Sequence, residues 1–230
     1  MITVVLPTLD SERGLVGALG ALIPAAAAGV VSQVVVSDGG STDQTFAIAD
    51  ELGCDIVSAP RGRGTQLVAG AEAARHPWLL FLHSDTILEE GWFREVKTFI
   101  ERMEDRGEGD RRVAVFTFAL DDYAFLARVL EQVVRLRCFL FGLPYGDQGL
   151  LISRRHYDRL GGFKPIPLME DVDMVRRIGR RRISYLRARA VTSAIRYRRD
   201  GYWRRWVRNT GCLTLFALRV PPHVIARFYG

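Results

Sequence analysis

Cysteine is scarce: Cys54, Cys138 and Cys212 are the only three in 230 residues. Their wide spacing supplies neither a disulfide framework nor a zinc motif, so reduced, buried thiols are expected. Long apolar runs are also missing, and none approaches the roughly 20 residues that a membrane span needs. Residues 1–6 (MITVVL) enter an apolar stretch directly, without a basic leader or a cleavage site, so no signal peptide is read there. Cations are nearly absent from residues 1–60, where Arg13 stands alone. There is no internal repeat and no low-complexity linker. These absences exclude a disulfide scaffold, a membrane-spanning bundle and a repeat array. They leave a cytoplasmic domain as the expectation.

Hydrophobic residues make up 48% of the chain and charged residues 25%, ordinary values for a globular protein with one sizeable core. The net charge of +6 is unevenly spread, because thirteen arginines fall between residues 176 and 208. A basic C-terminal third suits an anionic partner: substrate phosphates, a lipid surface or nucleic acid. A solvated arginine-rich surface is the plainer alternative.

The apolar pattern alternates between strand and helix periods. Strands are predicted over 2–6, 30–37, 55–58 and 78–82, and helices over 11–28, 41–52 and 65–74, with Ser41 and Gln44 forming a capping box. Further helices are predicted from 92, over 121–141, 170–179 and 202–218, with strands over 113–120, 149–153 and 183–187. This β-α-β-α-β-α-β order predicts a doubly wound, mostly parallel α/β sheet in a single domain. Ligands of such sheets bind beyond the carboxyl ends of the strands. The notable polar groups fall there: Thr8, Asp10 and Glu12 after the first strand, Asp38 after the second, Arg61 and Arg63 after the third, Asp85 after the fourth.

Asp38 could accept hydrogen bonds from a base or ribose, or it could be a turn aspartate before two glycines. Asp85, just beyond a buried strand, is the type of hard oxygen ligand that Mn²⁺ or Mg²⁺ needs when substrate phosphates fill the rest of its shell. His83, two residues earlier, could join it or be structural. Arg61 and Arg63, with Gly62 and Gly64, have the character of a phosphate-wrapping loop opening a helix, with Gln66 on the first turn. Met169-Glu170-Asp171-Val172-Asp173 crowds three carboxylates, which suits a general base with a raised pKa or the acidic first turn of a helix.

The segments Val5-Leu6-Pro7-Thr8-Leu9-Asp10-Ser11-Glu12, Val36-Ser37-Asp38-Gly39-Gly40-Ser41-Thr42-Asp43, His83-Ser84-Asp85 and Met169-Glu170-Asp171 together resemble family 2 glycosyltransferases of the GT-A fold. The resemblance runs from residue 1 to about 190 in the family's order. Arg61-Gly-Arg-Gly-Thr-Gln, Tyr145-Gly-Asp-Gln-Gly and the stretch from Leu160-Gly-Gly-Phe to Met-Glu-Asp-Val-Asp are similar to a compact bacterial branch linked with arsenosugar biosynthesis. The resemblance implies a catalytic domain over 1–190 and a basic, aromatic extension over 191–230 packed on it as a helical elaboration.

It also implies roles. Pro7, Thr8, Glu12, Asp38, Arg61, Gly64, Gln66 and Ser84 would bind a UDP- or GDP-linked sugar. Asp85 would match the last acid of the family's Asp-x-Asp motif and hold Mn²⁺ or Mg²⁺, with His83 replacing the first acid. Asp171 would be the base and Glu170 its neighbour. Asp147 and Gln148 would face the acceptor or the donor sugar. The implied reaction is inverting transfer of one sugar to a hydroxyl acceptor. The Gln-x-x-Arg-Trp motif of processive synthases is not evident.

The stretch Tyr197-Arg-Arg-Asp-Gly-Tyr-Trp-Arg-Arg-Trp-Val-Arg interleaves rings and guanidinium groups. It would suit an anionic membrane face, a phosphate-bearing acceptor or nucleic acid. The apolar face of 122–141 would shield a lipid acceptor or form a homodimer seam. The plainer alternative has both helices cover the sheet and cap the acceptor cleft. A nucleotidyltransferase and a non-catalytic basic module for lipid or RNA are the competing functions. The first would need a glycine-rich basic loop after the first strand, where this chain has Pro-Thr-Leu-Asp-Ser-Glu, and no nucleic acid partner is expected.

Overall fold

The computed structural model describes residues 1–229; Gly230, the last residue of the expected 191–230 extension, lies outside them. Its strands are β1 (Ile2–Thr8), β2 (Val31–Asp38), β3 (Asp55–Ser58), β4 (Trp78–Phe81), β5 (Thr86–Leu88), β6 (Val113–Leu120), β7 (Leu150–Ser153) and β8 (Ile183–Thr192). β1 is buried along its whole length. Successive side chains of a strand point to opposite faces, so Ile2, Val4 and Leu6 enter one core while Val5 enters the other. β4 repeats the pattern, with Trp78 and Leu80 on the first side and Leu79 and Phe81 on the second. A strand covered on both faces belongs at the centre of a largely parallel sheet.

The eight strands form one sheet in the order β3-β2-β1-β4-β7-β6-β8-β5. β1 pairs in parallel with β2 and β4, β2 with β3, and β6 with β8. β7 runs antiparallel between β4 and β6, and β5 closes the far edge antiparallel to β8.

The helices are α1 (Glu12–Gly20), α2 (Ile23–Ala27), α3 (Thr45–Glu51), α4 (Arg63–Ala73), α5 (Trp92–Asp105) and α6 (Phe125–Phe141). They continue as α7 (Arg154–Arg159), α8 (Glu170–Ile178), α9 (Ile195–Asp200), α10 (Tyr202–Ala217) and α11 (Pro222–Tyr229). α1, α2, α3 and α5 cover one face of the sheet, and α4, α7 and α8 the other. α6 packs on Phe118 and Leu120 of β6. α10 and α11 pack Cys212 and Ile225 against Met169 and Val172 at the start of α8.

Several boundaries depart from the sequence pattern. The helix expected over 11–28 is two helices, because Pro24 cannot donate to a preceding turn and instead sits in the first turn of α2. The Ser41–Gln44 capping box does not form. α3 begins at Thr45, and the Ser41 hydroxyl bonds to Asp38. β8 runs to Thr192, five residues past the predicted end. Its outward positions are arginines (Arg187 and Arg189) while Leu186, Ala188 and Ala190 face the core.

Gly64 shows a close approach that the composition hides. A Cβ there would collide with the Lys164 carbonyl and stand 2.8 Å from the Ile166 oxygen and 2.9 Å from its nitrogen. Backbone atoms cannot swing aside as a flexible side chain does. Gly64→Ala is expected to cost about 1–3 kcal/mol in urea unfolding; an unchanged midpoint would contradict this packing.

Candidate active site

Two loops at the carboxyl ends of β1 and β2 hold each other. The Ser11 amide donates to Thr45 Oγ1 at 2.8 Å, the Glu12 amide to Asp43 Oδ2 at 3.0 Å, and the Thr42 amide to Asp10 Oδ1 at 2.8 Å. The Gln44 amide donates to Glu12 Oε2 at 3.2 Å. Asp38 organises the same turn. Its Oδ1 accepts from Thr8 Oγ1 at 2.9 Å and Ser41 Oγ at 2.5 Å, and its Oδ2 from the amides of Gly40 and Ser41 at 2.9 and 2.8 Å. Those four donors fill the acceptor positions of a carboxylate. Burial would raise the Asp38 carboxyl, but the bonds from Ser41, Thr8 and Gly40 outweigh it and hold its pKa below the ordinary value.

Gln66 is buried and ties the two strands together, donating from Nε2 to the carbonyls of Thr8 at 2.5 Å and Ser37 at 3.0 Å. Gly64 is a packing position. Gln148 is also internal, donating to the Phe116 carbonyl at 3.0 Å and accepting from Cys138 Sγ at 3.2 Å. Arg61 is exposed and lies outside the cleft lining. Arg63, two residues on and the first residue of α4, lines the cleft.

An open cleft of about 780 Å³ runs past Pro7, Glu12, Ser84 and Asp85. A smaller pocket of about 120 Å³ is lined by Asp85, Asp147 and Asp171 together with Arg205 and Asn209 of α10. Arg63, His83, Asp85, Ser193 and Arg196 line both spaces and form the threshold between them. Gly14 lets α1 approach the 83–85 loop, since a Cβ there would stand 2.9 Å from the Ser84 carbonyl oxygen. The Ser84 hydroxyl donates to Ser11 Oγ at 3.0 Å. Thr8 itself is buried beneath the cleft.

The electrostatics of the threshold are uneven. His83 is held well below its ordinary pKa, first by burial and then by Arg63 and Arg196, so its imidazole is neutral. Asp147 is pushed up to about 6, first by burial, then against Arg137 by the charges of Asp171 and Asp85. Its Oδ1 is buried with no hydrogen-bond partner. Glu170 is buried under Arg63, with Nη1 3.5 Å from Oε1. Burial and the neighbouring Asp171 push its pKa up to about 7 while Arg63 pulls it down.

Asp171 opens toward the pocket from the first turn of α8, with Oδ2 accepting the Gly146 amide at 2.7 Å. A Cβ on Gly146 would lie 2.7 Å from His83 Nε2 and 3.3 Å from Asp171 Oδ2, so glycine keeps these two groups on either side of one point. Just before them, Met169 adopts a left-handed φ of 68°. Such a backbone costs about 1–3 kcal/mol outside glycine and persists only when its surroundings fix it. The Met169 side chain is clamped by Cys212 and Ile225, so the C-terminal helices help set the direction in which Glu170 and Asp171 leave the chain.

A divalent cation fits this donor set. Beside Asp85, His83 is a neutral imidazole and Asp147 offers an orphaned oxygen. No three acidic, histidine or cysteine side chains among the described residues close around a single point. An ion here would therefore complete its shell with phosphate oxygens.

The Asp147 environment gives a signed pH effect. The folded carboxyl titrates near 6 and the ordinary value is 3.8, so the folded state holds the proton longer. Stability contributed by this group is present below pH 3.8 and is lost as pH rises through 6. Asp147→Asn is expected to recover on the order of 3 kcal/mol at pH 8 relative to pH 4. Urea unfolding in EDTA at both pH values checks this, and parallel slopes for the two proteins would contradict it.

Arg196, Arg205, Asn209 and Tyr145 were not singled out by sequence reasoning. The only trace of the first three was the density of arginine and aromatic residues after 196, which carries no information on which of them turn inward.

Carboxylates and guanidinium groups gathered beyond the carboxyl ends of a helix-flanked, mostly parallel sheet define an α/β protein of the GT-A type. The profile of glycosyl transferase family 2 matches residues 3–140. Uncharacterized glycosyltransferases of Mycobacterium tuberculosis and Mycobacterium bovis are 33% identical over 112 residues, covering 48% of this chain and 49% of theirs. The match thus spans about half the length of these curated relatives.

Among solved structures, residues 1–349 of S. aureus TarS superpose with a TM-score of 0.62 at 18% identity, over 84% of this chain and 60% of that one. Glucosyl-3-phosphoglycerate synthase from Mycobacterium tuberculosis, in complex with Mn²⁺, UDP and glucosyl-3-phosphoglycerate, superposes with a TM-score of 0.56 at 24% identity, over 84% of this chain and 70% of that one. The chain belongs to glycosyl transferase family 2. The family match ends before Asp147 and Asp171, so the case for those two rests on geometry.

Proposed function

We propose that the chain transfers a single sugar from a nucleoside-diphosphate sugar, UDP- or GDP-linked, to a hydroxyl group of an acceptor, with inversion at the anomeric carbon. The observation that carries the reading is the threshold at Arg63, His83 and Asp85, where a cleft of about 780 Å³ meets a small pocket holding Asp171. The nucleotide lies along Pro7, Glu12 and Ser84, above the turn that Thr8, Asp38 and Gln66 make rigid. Arg63 and Arg196 face the diphosphate. Asp85 and His83 would hold Mn²⁺ or Mg²⁺, which would neutralise charge on the departing diphosphate.

The acceptor enters beside Arg205 and Asn209. Asp171 takes the proton of its hydroxyl, the oxygen attacks the anomeric carbon, and the carbon–oxygen bond to the diphosphate breaks on the opposite side. The nucleoside diphosphate leaves with the electron pair. Asp147 borders the reacting sugar. Glu170, neutral or paired beneath Arg63, positions that guanidinium rather than taking the proton itself. The segment after 190 completes the acceptor side. A nucleotidyltransferase would need free amides after β1, and those of Asp10, Ser11 and Glu12 are already donated to Ser41, Thr45 and Asp43.

Thermal-shift screening of nucleoside-diphosphate sugars with and without Mn²⁺ tests the reading. Stabilisation by one nucleotide class, strengthened by the ion, is expected. Stabilisation by triphosphates with release of pyrophosphate would overturn it.

A further inference from the structure

α6 has two apolar faces. The inner one, Ala127, Leu130, Val134 and Cys138, is packed under β6 and α10. The outer one is bare. Phe125, Leu126, Val129, Leu136, Phe139 and Leu140 are exposed, Phe125 by 79% and Phe139 by 71%. At 3.6 residues per turn these six share one side of the helix. On α10, Trp206 packs against the inner α6 cluster, and Trp203, exposed by 71%, stands beside it with ring centroids 5.0 Å apart. Contiguous exposed apolar groups of this size mark a surface that meets a partner or a membrane.

Charge decides which. Residues 123–146 contain one acid, Glu131, and residues 201–229 contain none; of the eight arginines in the two stretches, Arg205 and Arg208 pair with Asp200 and Arg137 lies over the Tyr145 ring. Glu131 is turned inward, accepting the Leu120 amide at 2.8 Å and pairing with Arg128 at 2.9 Å. Arg135 and Arg204 are exposed. Two copies joined through this face by a twofold axis would set arginines against arginines with almost no carboxylate between them. An anionic lipid surface complements both features, because an in-plane helix buries its apolar side at the headgroup boundary while arginines meet the phosphates. No described helix is long and apolar enough to cross a membrane, so the contact is with one leaflet.

We propose that the outer face of α6, together with Trp203 of α10, docks on the surface of an anionic bilayer. α6 runs directly into the segment bearing Tyr145 and Asp147, and Arg137 of α6 lies 3.4 Å over the Tyr145 ring. The docked face and the inner pocket are therefore joined by one element. The proposal does not depend on the transfer reaction.

The test is co-sedimentation of the full chain with phosphatidylcholine vesicles and with phosphatidylcholine–phosphatidylglycerol vesicles, alongside sedimentation equilibrium without lipid. Binding to the anionic vesicles is expected to be at least about tenfold tighter and to weaken with salt. Phe125→Ser combined with Phe139→Ser is expected to lower it by about tenfold or more at an unchanged unfolding temperature. Arg135→Glu and Arg204→Glu, both surface changes, are each expected to lower it by at least about fivefold. Equal affinity for neutral and anionic vesicles, or full binding by the arginine variants, overturns the proposal. So does a wild-type dimer that the double phenylalanine variant converts to monomer, which would make the face a seam between copies.

Discussion

Asp171→Asn is expected to lower the rate of sugar transfer by about 10²–10⁴-fold, the range of a general base. Binding of the nucleoside diphosphate is expected to stay within about twofold, because the lost interaction is made only in the transition state. The substitution is well suited to separate chemistry from folding. An asparagine oxygen can still accept the Gly146 amide that Asp171 Oδ2 accepts at 2.7 Å, so the 145–148 segment keeps its anchor, and the local bond from the Val172 amide to Oδ1 is the one structural contact given up. What disappears is the capacity to take a proton. Single-turnover transfer beside calorimetric nucleotide titration reads both quantities. Intact turnover would move the base elsewhere, with Asp147 the next carboxylate in the pocket.

Asp85→Ala carries the second large effect. Asp85 lines both the cleft and the pocket, so its removal falls on the open wall of the site rather than in the core. If it anchors the ion that steadies the departing diphosphate, several kcal/mol of transition-state stabilisation go with it, about 10³-fold in kcat/KM. The Mn²⁺-dependent part of nucleotide affinity should vanish while the ion-independent part remains. Titrations with and without Mn²⁺ on the variant check this. An undiminished Mn²⁺ effect would assign the ion to other groups.

The order of the first four strands was legible because each centres on a short apolar or β-branched run followed by turn residues, whereas the short β5, α7, α9 and α11 left no such mark. Burial on both faces leaves that signature in β1 and β4. The position of Asp85 was legible for the same reason, since a buried strand fixes the place of the residues just beyond its end. Asp38 was harder. Its motif looks like a binding motif, yet its side chains bond mostly to one another, and a one-dimensional pattern does not distinguish a carboxylate aimed at a ligand from one closing a turn. Arg61 and Arg63 differ by two positions in a flexible-looking loop, and only the start of α4 at Arg63 turns one of them inward.

The acceptor side was largely hidden. Arg205 and Asn209 come from a helix distant in sequence, amid arginines that face solvent. The left-handed Met169 carries no mark in its residue type, and its geometry comes from Cys212 and Ile225 packing against it. β8 was cut short because alternating arginines resemble a surface loop until their partners Leu186, Ala188 and Ala190 are seen to be buried.

The central claim concerns where a diphosphate sits relative to Asp85, Arg63 and Asp171. A crystal structure of the chain with UDP or GDP and Mn²⁺ measures that directly. The account predicts electron density for the ion at Asp85, the diphosphate beside Arg63, and the Asp171 carboxylate facing the vacant sugar position. Nucleotide bound away from the threshold, or an ion held without Asp85, would contradict it.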